Sequence, residues 1–177
     1  SKAEILDTRK TLPGWRVLDK YAVRMGGGMN HRMGLYDEVL IKDNHLAGWA
    51  EFHPGATIRD VIRRAREQAR QRQRESANPY VTIPIGVEVE TLGQLSDALQ
   101  AHPDLVLLDN MDLPTLHQAV RLRDQIAPEV KLEASGNVTL KNVAEIAATG
   151  VDRISIGSLT HSAAALDIAF DWHPGAE

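Results

Sequence analysis

Short apolar runs alternate with amphipathic stretches along this chain, and that alternation is the signature of a parallel βα protein. Six runs read as buried strands, at residues 5–8, 38–42, 85–90, 105–109, 131–135 and 153–157. Helical faces lie between them. Leu92, Leu95, Ala98 and Leu99 share one face, Leu116, Ala119, Val120 and the aliphatic stem of Arg123 a second, and Val143, Ile146 and Ala147 a third. Thr91 with Gln94 and Thr57 with Asp60 have the spacing of capping boxes, Asp112 precedes Pro114 at a first turn, and Gly150 stands where a helix stops. From residue 85 onward successive strands begin roughly 20 to 26 residues apart, near the repeat of a β/α barrel.

A closed eight-stranded barrel takes about 250 residues. Six strands in 177 residues fall short of closure. The expected fold is therefore α/β, an open or incomplete parallel β/α barrel (TIM-like), with residues 1–177 forming one domain. The opening Ser1-Lys2-Ala3-Glu4, followed at once by a strand, reads as a cut into a longer protein.

Charge limits the partners. The formal net charge is −4, so no global field draws the chain to nucleic acid or to a membrane, and anion binding must come from local clusters of Arg, Lys and His. The Arg- and Gln-rich stretch 59–75 has Ile58, Val61, Ile62 and Ala65 as its apolar face and no interleaved aromatic residues, so it reads as a solvated outer helix rather than a nucleic-acid contact. Residues 76–79 then read as a loop. Cysteine is absent, which removes disulfides and thiolate chemistry and suits a reducing cytoplasm. No apolar run nears the roughly 18 residues of a membrane span.

Chemistry concentrates where the strands end. In parallel βα proteins ligands bind beyond the carboxyl ends of the strands, and here those ends carry Arg9 and Lys10, Lys42 to His45, Glu88, Asp109, Ser135 to Asn137, and Gly157 to His161. Arg9, Lys10, His31, Arg32 and Lys42 can converge as a pocket for carboxylates or phosphates, the guanidinium forks pairing with planar carboxylates. Glu88 and Asp109, on neighbouring strands, can meet Mg²⁺ or sugar hydroxyls, and Glu90 is expected to share Glu88's direction. Ser135-Gly136-Asn137 and Gly157-Ser158 have the composition of an anion cradle. The glycines at 26–28 read as a flexible loop placing His31 and Arg32. His45 fits a structural hydrogen bonder, His161 is less defined, and no HExxH or other metal-ligand spacing is present.

Taken in order, Asp7-Thr8-Arg9-Lys10-Thr11-Leu12-Pro13-Gly14, Asn30-His31-Arg32, Ile41-Lys42-Asp43-Asn44-His45, Glu88-Val89-Glu90, Leu108-Asp109-Asn110, Glu133-Ala134-Ser135-Gly136-Asn137 and Ile156-Gly157-Ser158-Leu159-Thr160-His161 resemble the quinolinate phosphoribosyltransferases. The ordered set spans nearly the whole chain. The resemblance implies joining of quinolinate to phosphoribosyl pyrophosphate, with Mg²⁺, to give nicotinate mononucleotide, pyrophosphate and CO₂ in NAD biosynthesis. By position, Arg9, His31, Arg32 and Lys42 would hold the quinolinate carboxylates. Lys10, Glu88, Asp109, Ser135, Gly136, Gly157 and His161 would meet the donor, with Lys10, Lys42, Glu88 and Asp109 as the catalytic set and Glu88 and Asp109 as Mg²⁺ ligands, direct or through water. The resemblance also implies a homodimer or higher homo-oligomer, and an N-terminal sandwich domain, absent here, that covers the partner's site and adds an Arg. The isolated chain is then expected to be inactive or nearly so. Two other readings remain from the residues: a non-catalytic phosphosugar- or dicarboxylate-binding barrel, and a phosphoribosyltransferase for a related pyridine acid.

Overall fold

The computed structural model describes residues 1–75 and 82–172; the loop expected at 76–79 lies outside the described residues. Six strands, β1 (Glu4–Leu6), β2 (Val39–Ile41), β3 (Ile85–Val89), β4 (Leu105–Asp109), β5 (Lys131–Ser135) and β6 (Arg153–Ser155), form one sheet in the order β1-β6-β5-β4-β3-β2. Every pairing is parallel, and β1 and β2 stand at the two edges. The sheet is open, as its six strands lead one to expect.

Alternation along the strands sorts two faces. Ile85, Val87 and Val89 of β3, Val106 and Leu108 of β4, Leu132 and Ala134 of β5, and Ile154 of β6 join one hydrophobic core. Helices close that core: α3 (Ile58–Glu75) supplies Ile62, α4 (Leu92–Leu99) supplies Leu95 and Leu99, α5 (Leu113–Ile126) supplies Leu116 and Ala119, and α6 (Val143–Ala148) supplies Ile146. The intervening residues, Leu40, Glu88, Leu107, Asp109, Glu133, Ser135 and Ser155, line a single cavity on the other face. The sheet is therefore curled, with apolar side chains toward the helices and polar ones inside the curve.

The helix ends follow the sequence. Thr91 accepts the Gln94 amide at 3.2 Å, and Gln94 Oε1 accepts the Thr91 amide at 3.2 Å. Thr57 and Asp60 bond reciprocally, Asp112 accepts the Thr115 amide at 2.9 Å, and Gly150 turns with φ 97°. On α3, Arg66 donates to the carbonyls of Ala101 and His102, while Arg59 bonds Gln100 and pairs with Asp97. These arginines fasten the helix to α4 and the turn after it. No helix among the described residues is long and apolar enough to cross a membrane.

Several boundaries differ from the sequence reading. Strands β1, β2 and β6 are shorter than expected: the Asp7 amide turns to Met29 O, the Lys42 amide to His45 Nδ1, and Gly157 O accepts from the amides of the following helical turn. Lys42 begins α2 (Asp43–Phe52), a helix the sequence reading did not identify, and its amide donates to His45 Nδ1 at 3.0 Å. Gly157 leads into the single turn α7 (Ser158–His161). A further helix, α1 (Arg16–Met25), escaped the sequence reading because Val17, Leu18, Tyr21 and Met25 stay exposed while its one buried residue is Lys20. The glycine run is not a free loop. Met29 bridges Leu6, its amide donating to Ile5 O at 2.8 Å, and a Cβ on Gly28 would come within 2.8 Å of Val23 Cγ1.

Candidate active site

The first strand end is built around Asp7, which has no solvent exposure. Its carboxylate pairs with the buried Lys20 ammonium and accepts from the Asn30 side chain at 2.5 Å and the His31 amide at 2.8 Å. Lys20 also donates to His31 O at 2.9 Å. One buried ion pair thus ties residues 30 and 31 to the end of β1. Thr8 Oγ1 accepts the Lys10 amide at 3.1 Å, and Arg16 spans the turn by donating to Arg9 O, Thr11 Oγ1 and Met33 O, each at 3.2 Å. These bonds place Arg9 and Lys10 on the rim.

His31 points inward. Its Nδ1 accepts the Arg32 amide at 2.7 Å, so a neutral ring carries its proton on Nε2, which faces Glu133 Oε1 at 3.3 Å. Glu133 is fully buried, and among the described residues neither of its carboxylate oxygens has a hydrogen-bond partner. Burial also holds the Glu38 carboxyl above the ordinary carboxylate range; Glu133 pushes the same way, against His31, Arg32 and Arg153. Burial lowers the Arg32 guanidinium from its usual value, with Arg9 acting in the same direction and Glu38 and Asp37 opposing. It stays charged all the same, and its Nη1 donates to Glu38 O at 3.1 Å.

On the adjoining wall Lys42 forms an ion pair with Glu88, so the carboxylate reaches the cavity already neutralised by a cation. Glu90 does not join it. Because β3 ends at Val89, the Glu90 amide turns to Gln94 Oε1 at 2.8 Å and the residue is exposed. Asp109 Oδ2 accepts from Asn110 Nδ2 at 2.8 Å, and its other oxygen has no hydrogen bond or ion pair among the described residues. Gly136 turns with φ 95°. At the last strand end the His161 ring packs on Gly157, where a Cβ would meet its Nε2 at 2.9 Å, and Thr160 Oγ1 donates to Lys10 O at 2.7 Å.

These strand ends surround one open cavity of about 750 Å³. Arg9, Lys10, His31, Arg32 and Lys42 line it together with Glu88 and Asp109, and Ser135, Gly136, Gly157 and His161 complete the rim. All the residues assigned a substrate or donor contact from the sequence are there, whereas Glu90 and His45 are not. Asn137 of the expected anion cradle lines it as well, and so do Glu133 and Asn110, to which the sequence reading gave no role. Each lies inside a motif quoted above, and for Glu133 the available signal was its alternation with Ser135 along the strand.

The family model described as "Quinolinate phosphoribosyl transferase, C-terminal domain" matches residues 1–171. The chain belongs to this family. It is 47% identical over 171 residues to the nicotinate-nucleotide pyrophosphorylase (carboxylating) of Mycobacterium leprae, covering 97% of this chain and 54% of that protein. Against the probable nicotinate-nucleotide pyrophosphorylase (carboxylating) of Bacillus subtilis the identity is 43% over 168 residues, covering 95% and 52%. The crystal structure of NadC from Streptococcus pyogenes matches with a TM-score of 0.79 at 36% identity, over 94% of this chain and 52% of that one. The chain thus spans about half the length of the curated relatives it matches.

Among the described residues no group of three or more His, Cys, Asp or Glu is placed to hold a metal ion. The Mg²⁺ implied by the resemblance does not require such a cage, because it is commonly bound by one or two carboxylates plus substrate phosphates. The open oxygen of Asp109 fits that pattern, with Glu88 on the neighbouring strand.

Proposed function

We propose that this chain is the catalytic barrel portion of an enzyme that transfers phosphoribose from phosphoribosyl pyrophosphate to quinolinate, with decarboxylation. One observation carries the reading. One cavity is lined by Arg9, Arg32 and Lys42 together with Glu88, Asp109 and the glycine-bearing turns at Gly136 and Gly157, a set that suits a dicarboxylate acceptor and a phosphorylated sugar.

In this reading Arg9, His31, Arg32 and Lys42 hold the two quinolinate carboxylates and aim the ring nitrogen at C1′ of the donor. The nitrogen lone pair forms the new bond as pyrophosphate leaves with the C1′–O electron pair. Glu88 and Asp109 stabilise the positive charge that builds on the ribose. Lys10 faces the leaving pyrophosphate, and Ser135, Gly136, Gly157 and His161 receive the 5′-phosphate. Asp109 and Glu88 would hold Mg²⁺, which would supply charge neutralisation for the pyrophosphate. The resulting pyridinium draws in the electrons of the C2–carboxylate bond as CO₂ departs, and C2 then takes a proton. A cytoplasmic setting and a homodimer or higher homo-oligomer belong to the same proposal, the first supported by the cysteine-free sequence and the second by the family resemblance.

Calorimetric titration with quinolinate, with and without phosphoribosyl pyrophosphate and Mg²⁺, tests it. The expected result is quinolinate binding that is lost in Arg32→Ala. A folded protein that binds nicotinate as tightly as quinolinate would overturn the substrate, since the second carboxylate would then make no contact. In the full-length protein Asp109→Asn should abolish turnover while quinolinate still binds; unchanged turnover would remove the catalytic reading in favour of a binding module.

A further inference from the structure

Asn110 stands between Asp109 and Asn137, all three lining the cavity. Its amide N–H donates to Ser135 O at 2.9 Å, one residue past the end of β4. The backbone then turns with φ 53°, a left-handed conformation that side chains disfavour and that Asn tolerates better than most. That turn sets the side chain between Asp109 and the loop after β5. Asn110 Nδ2 donates to Asp109 Oδ2 at 2.8 Å, and Asn110 Oδ1 accepts from Asn137 Nδ2 at 3.1 Å.

The direction of this chain of amides is not arbitrary. An ionised carboxylate only accepts, so Asn110 must offer it the NH₂ and keep its oxygen for Asn137. Asn137 is itself left-handed, with φ 51°, and its carbonyl accepts from Asn142 Nδ2 at 3.1 Å. The two turns also interlock sterically. A Cβ on Gly136 would run into Asn110 Oδ1, and would lie 2.6 Å from Asn110 Cγ and 3.1 Å from its amide nitrogen. Two left-handed asparagines and a left-handed glycine thus line the cavity together.

We propose that Asn110 is a positioning residue that orients the Asp109 carboxylate and the Gly136–Asn137 turn as one unit for the phosphoribosyl donor. The inference rests on the proposed function and deepens it. By occupying one Asp109 oxygen, the neutral amide leaves the other for the donor's hydroxyls or its metal. By bonding Asn137, it holds the phosphate turn at a set separation from that carboxylate. An aspartate in its place would bring a second carboxylate up to Asp109 and add negative charge where the donor's phosphates must approach.

Asn110→Gly and Asn110→Asp test the idea, with calorimetric Kd values for quinolinate and for phosphoribosyl pyrophosphate in Mg²⁺, and melting temperatures alongside. Glycine accepts a positive φ without strain, so Asn110→Gly should keep or raise the melting temperature. It should weaken donor binding about tenfold, the loss of a hydrogen bond to a charged group, while quinolinate Kd moves less than about twofold. Asn110→Asp, nearly isosteric and tolerant of the same backbone, should weaken the donor further and covers the case in which the glycine variant folds poorly. Donor binding within about twofold of the parent in both variants would overturn the inference. So would equal losses for both ligands with a lower melting temperature, the mark of a purely structural residue. A folded parent that binds neither ligand would overturn the proposed function and this inference with it; loss confined to the donor in the variants separates the two.

Discussion

His31 Nε2 lies 3.3 Å from Glu133 Oε1, and Glu133 has no solvent exposure. The other ring nitrogen is held by the Arg32 amide, so two independent contacts set both tautomer and orientation. A buried carboxylate with no hydrogen bond among the described residues is costly to keep, and Glu133 lies in a cavity that Arg9, Arg32 and Lys42 also line.

Replacing that carboxylate separates stability from binding. Glu133→Gln removes a desolvated charge, so its melting temperature should not fall, while quinolinate Kd should rise about tenfold as His31 loses its facing anion. Equal affinities for parent and variant would show that Glu133 does not act through His31.

Glu38 yields a pH prediction. Its carboxyl is raised by burial, so the folded state favours the protonated form. The stability this contributes is fully present below the ordinary glutamate value and is lost as pH rises through the raised one. Glu38→Gln should therefore increase the melting temperature at neutral pH and change it little near pH 3, below the ordinary glutamate value of about 4.3. An equal gain at both pH values would mean that the benefit is not tied to the proton.

The Asp7–Lys20 pair is fully buried, with exposures of 0% and 1%. Lys20→Met leaves Asp7 without its cation and should cost about 3 to 5 kcal/mol in urea unfolding. Quinolinate binding should weaken in parallel, because Asp7 also holds Asn30 and His31. A loss below about 1 kcal/mol, the range of exposed pairs, would show that the pair is not a structural anchor.

Gly157 and His161 should be coupled. Gly157→Ala fits the local backbone, with φ −64°, but brings its Cβ against the His161 ring. Donor affinity should drop in the single variant, and His161→Ala in the same chain should restore the space, giving a positive coupling in a double-mutant cycle. Additive losses would place the two residues' effects apart.

The sequence by itself determined the six parallel strands, because alternating apolar residues have one buried solution against the helices, and it determined the rim, because strand ends in such a fold always face the same side. It also named the cations and carboxylates that the cavity gathers. Tertiary structure decided what lies beneath them. Glu133 alternates like any strand residue, and only the curl of the sheet brings it to His31. Lys20 looks like the polar side of an exposed helix until Asp7 arrives from β1 to bury it. Asn110 reads as a strand-end polar residue, and its bond to Asn137 depends on a left-handed turn that no local preference requires. Local periodicity is written in neighbouring residues. The contacts that orient the site join residues far apart in sequence, His31 and Glu133 by 102 positions and Lys10 and Thr160 by 150, and exist only once the sheet has curled.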